Sequence, residues 1–426
     1  MGGFAEKNGR AGSPLPAASL VETAWPMVRL GDVCEFRRGL TYKKSDEVEV
    51  SSNVVLRSNN ISLESGEFDF SELKYLNESL DIPCDKRVVP GAILMCMANG
   101  SKQHLGKVAL VDRDLGYAFG GFMGLIIPRG VDSKFVYLML VSPAFKAHLE
   151  CLQDGANINN LKFSDIDQFE FPLPPLSVQC EIVERLEKEL GEAEKVAAGF
   201  RRIAEKAEAE FKAELDETFK VLEDDVSRGG SETRSVRLGD CFDFIDYRGK
   251  TPLKAGAGVP LITAKNIRQG YLDYTESFYI SADEYATRQT RGIAHKGDIL
   301  FTTEAPLGFV ALADKEEFST GQRVITFQWK DKGKQFCNKY FLYCLMSDWF
   351  QKSLWKQATG ATAKGIKASR LVNLQVFVIP FSDQRLIAGR LDAARERCDK
   401  IKAEAEKGLK AAENLRKAIL KEAFEQ

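Results

Sequence analysis

The sequence is short of the residues that usually mark a catalytic or metal centre. It has only three histidines, in unrelated contexts, so we expect none of them to bind a metal. Its nine cysteines form no Cys-x-x-Cys pair, and no Pro-Asp dipeptide is present to begin a common nuclease motif. Gly249-Lys250-Thr251 looks like the end of a phosphate loop, but Phe244 stands where that motif needs glycine. The sequence therefore gives no positive reason to predict an enzyme.

Long apolar runs and a strong net charge are also absent. The longest apolar stretches, such as residues 88–98, are far shorter than the ~20 residues that span a bilayer. Lys plus Arg number 59 and Asp plus Glu 61, which argues against a uniformly basic nucleic-acid binder. No export signal is visible at the N-terminus, so we expect a cytoplasmic protein with reduced cysteines. A hydrophobic content of 44% is enough for real cores, and the length suggests two to three domains.

The two halves of the chain repeat each other. Residues 28–32 recur unchanged at 236–240, and residues 90–94 resemble 296–300. Scattered matches continue in the same order to 175–186 and 380–391, with an offset that stays between 202 and 208. A collinear series of this kind indicates a duplicated unit, and its period is too long for a solenoid repeat.

Each copy begins with a mixed region and ends in a long helix. Short β-rich runs are predicted at 91–97, 125–128, 297–302 and 323–329, and helical patches at 134–149 and 338–352. This alternation predicts an α+β fold class. A proline stop, Pro174-Pro175 or Pro380, then separates each mixed region from a helix.

The two long helices carry apolar residues at steps of three and four, which is the pattern of a coiled-coil seam. Ser177 and Ser382 are the expected N-caps, and small seam residues such as Gly199 and Gly389 are expected to let two helices approach closely. Residues 177–226 have a net charge of -7 and residues 382–426 of +2. The two helices should therefore pair with each other rather than with copies of themselves.

These patterns predict six segments along the chain. They are a flexible N-terminal arm at 1–26, a first mixed domain at 27–176, a central helix at 177–226, a linker at 227–235, a second mixed domain at 236–381 and a C-terminal helix at 382–426.

Several predicted loops combine basic, amide, hydroxyl and aromatic side chains at matching places in both halves. Arg and Lys neutralise DNA phosphates, and Arg, Asn and Gln can read base edges in the major groove. Because the frame matches while the loops differ, we expect two different DNA half-sites. The candidate DNA-binding residues are Arg38, Tyr42, Lys43, Lys44, Asn59, Asn60, Lys102, Gln103, Asn159 and Lys162 in the first half, and Arg248, Lys250, Thr251, Lys265, Asn266, Thr303, Gln322, Arg323, Lys364 and Lys367 in the second.

Six stretches of the second half carry a family resemblance. They are Arg248-Gly249-Lys250-Thr251-Pro252 and residues 258–262, 297–300, 307–308, 321–322 and 379–384, the last running into the long helix. Residues 173–179 end the first half in a similar way, although Arg38-Gly39-Leu40-Thr41 is not followed by proline. Over residues 27–426 the sequence resembles a DNA specificity subunit of a type I restriction-modification system.

The resemblance implies a non-catalytic reader of DNA. It implies two similar target-recognition domains separated by two long antiparallel coiled-coil helices, each domain reading one half of a bipartite, asymmetric site in double-stranded DNA. The helices would space the half-sites and dock two methylation subunits, and two restriction/translocase subunits would complete the deoxyribonuclease complex. S-adenosylmethionine, ATP and Mg²⁺ would then bind to partner subunits only, with no cofactor on this chain and no role for a membrane.

Two other classes of function are weighed against this one. A single-chain methyltransferase or nuclease is disfavoured, because no cofactor loop is present and Leu173-Pro174-Pro175-Leu176 lacks the polar and aromatic residues of an amino-methyltransferase motif. A coiled-coil scaffold or adaptor without direct DNA readout stays open from the residues alone.

Overall fold

The computed structural model describes residues 25–63, 65–153, 160–330, 336–360 and 363–424. The chain divides into two compact units. Unit 1 consists of Met1–Ala197 and Lys410–Gln426, and unit 2 consists of Ala198–Leu409. Each unit mixes strands with helices, so the predicted α+β class is confirmed.

Unit 1 contains strands β1 to β10 and helices α1 to α5. The strands are β1 (Met27–Arg29), β2 (Cys34–Arg38), β3 (Glu47–Val48), β4 (Asn53–Leu56), β5 (Lys74–Leu76), β6 (Ile93–Cys96), β7 (Val108–Leu110), β8 (Ala118–Phe119), β9 (Met123–Pro128) and β10 (Glu170–Pro172). The helices are α1 (Leu30–Val33), α2 (Ser133–Leu140), α3 (Pro143–Gln153), α4 (Phe163–Ile166) and α5 (Leu176–Ser227), whose residues up to Ala197 belong to this unit.

Unit 2 contains strands β11 to β20. These are β11 (Arg234–Arg237), β12 (Phe242–Asp246), β13 (Lys254–Ala255), β14 (Val259–Ile262), β15 (Tyr279–Ile280), β16 (Ile299–Thr303), β17 (Leu307–Leu312), β18 (Ser319–Thr320), β19 (Val324–Trp329) and β20 (Gln375–Val378). Its helices are α6 (Leu238–Cys241), α7 (Ala282–Arg288), α8 (Asn338–Met346), α9 (Asp348–Gln357), α10 (Ala368–Leu371) and α11 (Phe381–Phe424), whose last residues from Lys410 belong to unit 1.

The strand orders of the two units are the same. A four-stranded antiparallel sheet has the order β2-β9-β6-β7 in unit 1 and β12-β19-β16-β17 in unit 2. A second sheet has the order β3-β5-β4-β8 or β13-β15-β14-β18, with a parallel last pair, and a short pair joins β1 to β10 or β11 to β20. The internal duplication inferred from weak sequence matches is therefore confirmed by topology.

The third strand of each antiparallel sheet is buried on both faces. In β6, Ile93 and Met95 pack in one apolar cluster with helix α2, while Leu94 packs in another with Phe119 of β8. In β16, Ile299 and Phe301 face a helical cluster in the same way. A strand that is covered on both faces has apolar residues at consecutive positions instead of alternate ones. This burial explains the continuous apolar runs in the sequences of β6 and β16.

Each helical patch predicted at 134–149 and 338–352 is in fact two helices. The breaks fall at Ser142 and Ser347, both almost fully buried. Each serine Oγ accepts a hydrogen bond from the backbone N–H three residues later, at a distance of 3.4 Å. These serines cap the second helix of each pair, and in unit 1 Pro143 follows at the first helical position, where proline is tolerated.

The prediction that Ser177 and Ser382 are N-caps is wrong, because α5 and α11 begin one residue earlier. A buried glutamine secures each start instead. The Nε2 of Gln179 donates to Pro174 O at 2.8 Å, and its Oε1 accepts from Asp132 N at 2.8 Å. Gln384 repeats both contacts in unit 2, with Ile379 O at 2.8 Å and Cys337 N at 3.0 Å.

Within unit 2, α5 and α11 lie side by side and antiparallel. Glu208 pairs with Lys402 at 2.6 Å and with Arg395 at 3.2 Å. Six residues farther along α5, Glu214 pairs with Arg397 at 3.2 Å, and Thr218 receives a hydrogen bond from Arg390. Residues farther along α5 contact residues nearer the start of α11, so the two helices are antiparallel. The acidic helix pairs with the basic one, as their net charges predict.

The close approach of these helices occurs at a glycine other than the two expected. A side chain on Gly408 would overlap the ring of Phe200 on α5. A side chain on Gly199 or Gly389 would meet nothing within 4 Å outside the local helix backbone. Those two glycines therefore do not mediate the contact, whereas Gly408 leaves the space that the aromatic ring fills.

Candidate nucleic-acid interface

The antiparallel sheet of unit 2 brings several chain segments to one end. Strand β12 ends at Asp246, which lies opposite Ile325 near the start of β19, and β16 ends at Thr303, opposite Leu307 at the start of β17. Gly321 N–H donates to Ile262 O at the end of β14, at 2.8 Å. We name the resulting group of residues 246–251, 303–307, 320–324 and 363–367 loop edge 2.

Hydrogen bonds tie the segments of loop edge 2 together. The N–H of Ile366 donates to Thr303 O at 3.0 Å, and Arg248 Nη1 donates to Ile366 O at 3.1 Å. The amide of Gln322 donates to Thr251 Oγ1. Several sequence-predicted DNA-binding residues therefore belong to one continuous surface: Arg248, Lys250, Thr251, Gln322, Arg323, Lys364 and Lys367.

Two arginines of loop edge 2 form ion pairs with carboxylates of the same loop edge. Arg248 binds Asp246 through two nitrogens, with a closest distance of 2.6 Å, and Arg323 binds Glu304 at 2.8 Å. Lys250 Nζ instead donates to Thr290 Oγ1 at 2.8 Å. A paired guanidinium still has free N–H groups, so these arginines are held in place with donors left for another acceptor.

Two arginines that sequence reasoning missed, Arg288 and Arg291, hold the backbone of this surface in place. Arg288 is only 5% exposed and donates to Lys250 O at 2.8 Å and to Thr320 O at 3.1 Å. Its guanidinium lies 4.8 Å from the centre of the Tyr247 ring, and burial lowers its pKa from the usual value. Arg291 donates to the carbonyls of Asp246 and Arg248. Backbone contacts of this kind carry no sequence pattern, which is why the sequence did not reveal them.

Unit 1 builds the equivalent surface, which we name loop edge 1 (residues 38–42, 97–99, 119–123 and 160–162). Gly120 N–H donates to Leu56 O at 2.9 Å, and Leu161 N–H donates to Met97 O at 2.7 Å. These bonds match the Gly321 and Ile366 bonds of unit 2. Three predicted DNA-binding residues lie in this edge, namely Arg38, Tyr42 and Lys162.

Tyr42 and Arg38 are partly anchored in loop edge 1. Burial raises the pKa of Tyr42 above its usual value, so its hydroxyl stays protonated and able to donate. The guanidinium of Arg38 lies 5.7 Å from the centre of the Phe163 ring. Arg38 itself is exposed, as Lys162 is, so both charges face solvent.

Further predicted residues are exposed outside the two edges as defined. Lys43 and Lys44 follow loop edge 1 in a short 3₁₀ turn, and Lys102 and Gln103 lie in another. Asn59 is exposed and donates to Glu72 O at 3.3 Å. Lys265 is exposed and pairs with Glu276 at 2.9 Å. Asn159 lies outside the described residues.

Three predicted residues are buried and fully occupied by contacts within the protein. Asn60 donates to Asp69 O and Glu72 O and accepts from Arg57 N, each at 2.9 Å. Asn266 donates to Asp273 O at 3.0 Å and to Glu276 O at 2.7 Å, and it accepts from Thr263. Thr303 donates to Arg323 O at 3.3 Å and is 2% exposed. In this conformation their role is to hold loops.

The described residues also bear on metal binding and on membrane insertion. Among the described residues, no group of three or more His, Cys, Asp or Glu side chains is arranged to hold a metal ion. In the same part of the chain, no single helix is long and apolar enough to cross a membrane. The bent pair Ser133–Leu140 and Pro143–Leu152 meets the length and composition test only when taken together.

Known proteins with related sequences match nearly the whole chain. A family model described as the type I restriction modification DNA specificity domain matches residues 22–194 and again residues 231–411. The type I restriction enzyme EcoKI specificity subunit of Escherichia coli is 24% identical over 425 residues, covering 96% of this chain and 90% of that protein. The putative type I restriction enzyme MjaX specificity subunit of Methanocaldococcus jannaschii is 24% identical over 418 residues, covering 92% of each.

A solved structure shares the fold. It comes from work on complex assembly and conformational transition of the type I R-M system, and its TM-score is 0.66 at 20% identity, covering 94% of this chain and 97% of that one. The two segments that match the family model together span most of the 426 residues. The chain therefore belongs to the family of type I restriction-modification DNA specificity subunits.

Proposed function

We propose that each unit reads one half of a bipartite, asymmetric DNA site through its loop edge. The observation that carries the proposal is the repetition of one surface with two different sets of side chains. Equivalent backbone hydrogen bonds build both edges, yet the second has Lys250 where the first has Leu40, and Arg323 where the first has Phe122. A common frame with different contact residues is what two unlike half-sites require.

The chemistry of loop edge 2 suits a duplex. Its exposed lysines can neutralise phosphates, and Arg248 and Gln322 offer the paired donors that read guanine and adenine. Asp246 and Arg291 fix the segment that carries Arg248 before any ligand arrives. Preorganised donors lower the entropy cost of ordering side chains on binding. We therefore expect base contacts at loop edge 2.

The boundaries predicted from the sequence fit this function. We propose target-recognition domains at 27–176 and 236–381, with a linker at 227–235 and an N-terminal arm at 1–26. The helices at 177–226 and 382–426 would set the spacing between half-sites. The support is the antiparallel pairing of α5 and α11 within unit 2, held by Glu208 and Glu214.

As a type I specificity subunit, the chain works with DNA and with other subunits of a complex. We propose two methylation subunits docked on the helices and two restriction/translocase subunits beyond them, in the cytoplasm. S-adenosylmethionine, ATP and Mg²⁺ would be bound by those partners.

Salt-dependent binding tests whether loop edge 2 meets phosphates. The full chain, with its methylation subunits, is titrated with labelled duplex DNA at several salt concentrations. Lys250→Ala and Lys364→Ala should weaken binding, and each should flatten the slope of log K against log salt by roughly 0.9 per lost phosphate contact.

Lys296→Ala is the matched control. Lys296 precedes β16, at the opposite end of the sheet, and is also an exposed lysine, paired with Glu316 at 2.8 Å. Its removal should leave the slope unchanged. Equal slopes for all three variants and the wild type would show that loop edge 2 does not contact phosphates, and absence of any preferred sequence would favour a scaffold without DNA readout.

A matched insertion tests the spacing role. Seven residues added after Ala197 in α5 and seven after Leu409 in α11 preserve the seam and lengthen each helix by ~10 Å. The gap between half-sites should grow by about three base pairs, at ~3.4 Å each, or binding should be lost. Full binding with an unchanged gap would contradict a spacing function for the helices.

A further inference from the structure

The same four-residue turn occurs at the same place in both loop edges. In unit 1 it is Gly120-Gly121-Phe122-Met123, closed by Met123 N–H donating to Gly120 O at 2.8 Å. In unit 2 it is Gly321-Gln322-Arg323-Val324, closed by Val324 N–H donating to Gly321 O at 3.3 Å. Each turn leads directly into the second strand of its sheet, β9 or β19.

The third residue of the turn is fixed by its backbone in both units. Phe122 O accepts from Met97 N at 2.9 Å and from Ala98 N at 3.1 Å. Arg323 O accepts from Thr303 N at 2.9 Å. The two side chains therefore start from equivalent, well-held positions on the loop edges.

The side chains at this position differ completely. Phe122 is 74% exposed, although an aromatic ring gains from burial. Arg323 is exposed as well, and its guanidinium is oriented by Glu304 at 2.8 Å. A single exposed apolar side chain is ordinary on a protein surface, so what matters is that Phe122 occupies the place where the other unit presents an oriented arginine.

Polar and charged side chains lie beside the first residue of the turn. Tyr42 of loop edge 1 and the neighbouring Arg57 would both come within 4 Å of a side chain at Gly120, and a side chain at Gly39 would overlap the Gly120 backbone. The ring of Phe122 carries no charge for a phosphate and no conventional hydrogen-bonding group. Against DNA it suits apolar surface, and the thymine methyl group and the face of a base at an opened step are the apolar surfaces that depend on sequence.

We propose that the third residue of this turn is a specificity-determining position, at which Phe122 makes an apolar contact with a base of the first half-site while Arg323 makes a polar contact in the second. The proposal rests on the proposed function, since it names which side chains of the loop edges discriminate between bases. It identifies one exchanged residue that helps one scaffold read two unlike half-sites.

Selection from random duplexes tests the proposal. The full chain with its methylation subunits is compared with Phe122→Ala and Arg323→Ala variants, and thermal unfolding checks that each is folded. Phe122→Ala should lose roughly 5- to 100-fold preference at one or more base positions in one half-site only, the usual effect of a lost base contact. Arg323→Ala should do the same in the other half-site, so each variant is the internal control for the other.

Two modified duplexes identify the apolar surface. Uracil in place of thymine at the affected position removes only the methyl group, and weaker wild-type binding to it would assign the methyl contact. A rise in 2-aminopurine fluorescence on binding would assign an opened base step. A response to neither probe would overturn the apolar contact.

The outcomes separate this proposal from the function beneath it. If the wild type selects a bipartite site and Phe122→Ala selects the same site with the same preferences, the specificity role of Phe122 is refuted and the DNA-reading function stands. If the wild type selects no preferred sequence, the proposed function itself fails.

Discussion

Replacing Asn60 with alanine should destabilise unit 1, and the adjacent Asn59 provides the control. Asn60 is fully buried, and its amide makes three hydrogen bonds of 2.9 Å, to Arg57, Asp69 and Glu72. Asn59 is exposed and makes a single bond of 3.3 Å to Glu72 O. The two neighbours have the same chemistry and opposite surroundings, so their alanine variants isolate the effect of burial.

The magnitude follows from the hydrogen bonds that are lost. Each contributes about 1 kcal/mol, and the buried donor and acceptors left behind keep part of their desolvation cost. Asn60→Ala should therefore lower the free energy of unfolding by about 3 kcal/mol, whereas Asn59→Ala should change it by less than about 0.5 kcal/mol. At ~2–4 °C per kcal/mol for a domain of this size, the melting temperature should fall by roughly 6–12 °C.

Calorimetry and DNA titration together decide the role of Asn60. The expected result is a large loss of stability for Asn60→Ala and almost none for Asn59→Ala. A stability loss no larger than that of Asn59→Ala, combined with weaker DNA binding, would show that Asn60 contacts DNA rather than holding its loop. That result would refute the reasoning from burial and restore the sequence-based interpretation.

Two further predictions concern the helix pair of unit 2. Gly408→Ala should destabilise the helix pair by ~1–3 kcal/mol, because the added methyl group would overlap the Phe200 ring. Gly199→Ala adds a methyl group that meets no neighbour, so it should stabilise α5 by up to ~1 kcal/mol. Equal effects of the two variants in calorimetry would contradict the contact between Gly408 and Phe200. Burial alone would raise the pKa of Glu208, but the hydrogen bond from Lys402 and the charge of Arg395 hold it below the usual 4.5. The ion pairs of Glu208 should contribute about 1 kcal/mol to the free energy of unfolding, since the side chains are half exposed. This contribution should be present above pH 4.5 and lost as the pH falls through the lowered pKa. The difference in stability between wild type and Glu208→Gln should therefore vanish in acid, and a difference that persists there would refute the ion-pair account.

The duplication and the fold class were accessible from the sequence because they depend on repeated pattern. The match of 28–32 with 236–240 reports the same turn into β2 and β12, and a match in order along the chain survives many substitutions. The long helices were equally visible, since a seam repeated over ten or more turns outweighs local exceptions. Their ends were predicted less well, because Ser177 and Ser382 fit the cap preference while the proline before each helix already sets its start.

The candidate site was only partly accessible. The exposure of basic residues such as Lys250 and Arg323 could be predicted from the polar character of the loops around them. The burial of Asn60 and Asn266 depends on which backbone carbonyls the fold places around them. Phe122 was missed because an apolar residue in a glycine turn has no recognisable pattern. Its position is defined by the turn hydrogen bond that both units share, which depends on the fold and not on local sequence.

The most direct test of the central claim is the methylation motif of a host that carries this chain with its methylation subunits. We predict a bipartite motif with two unlike halves. Exchanging residues 236–377 for the same segment of a relative should change one half and leave the other half and the gap unaltered. A continuous motif, or a change in both halves after the exchange, would contradict the claim that each unit reads its own half-site.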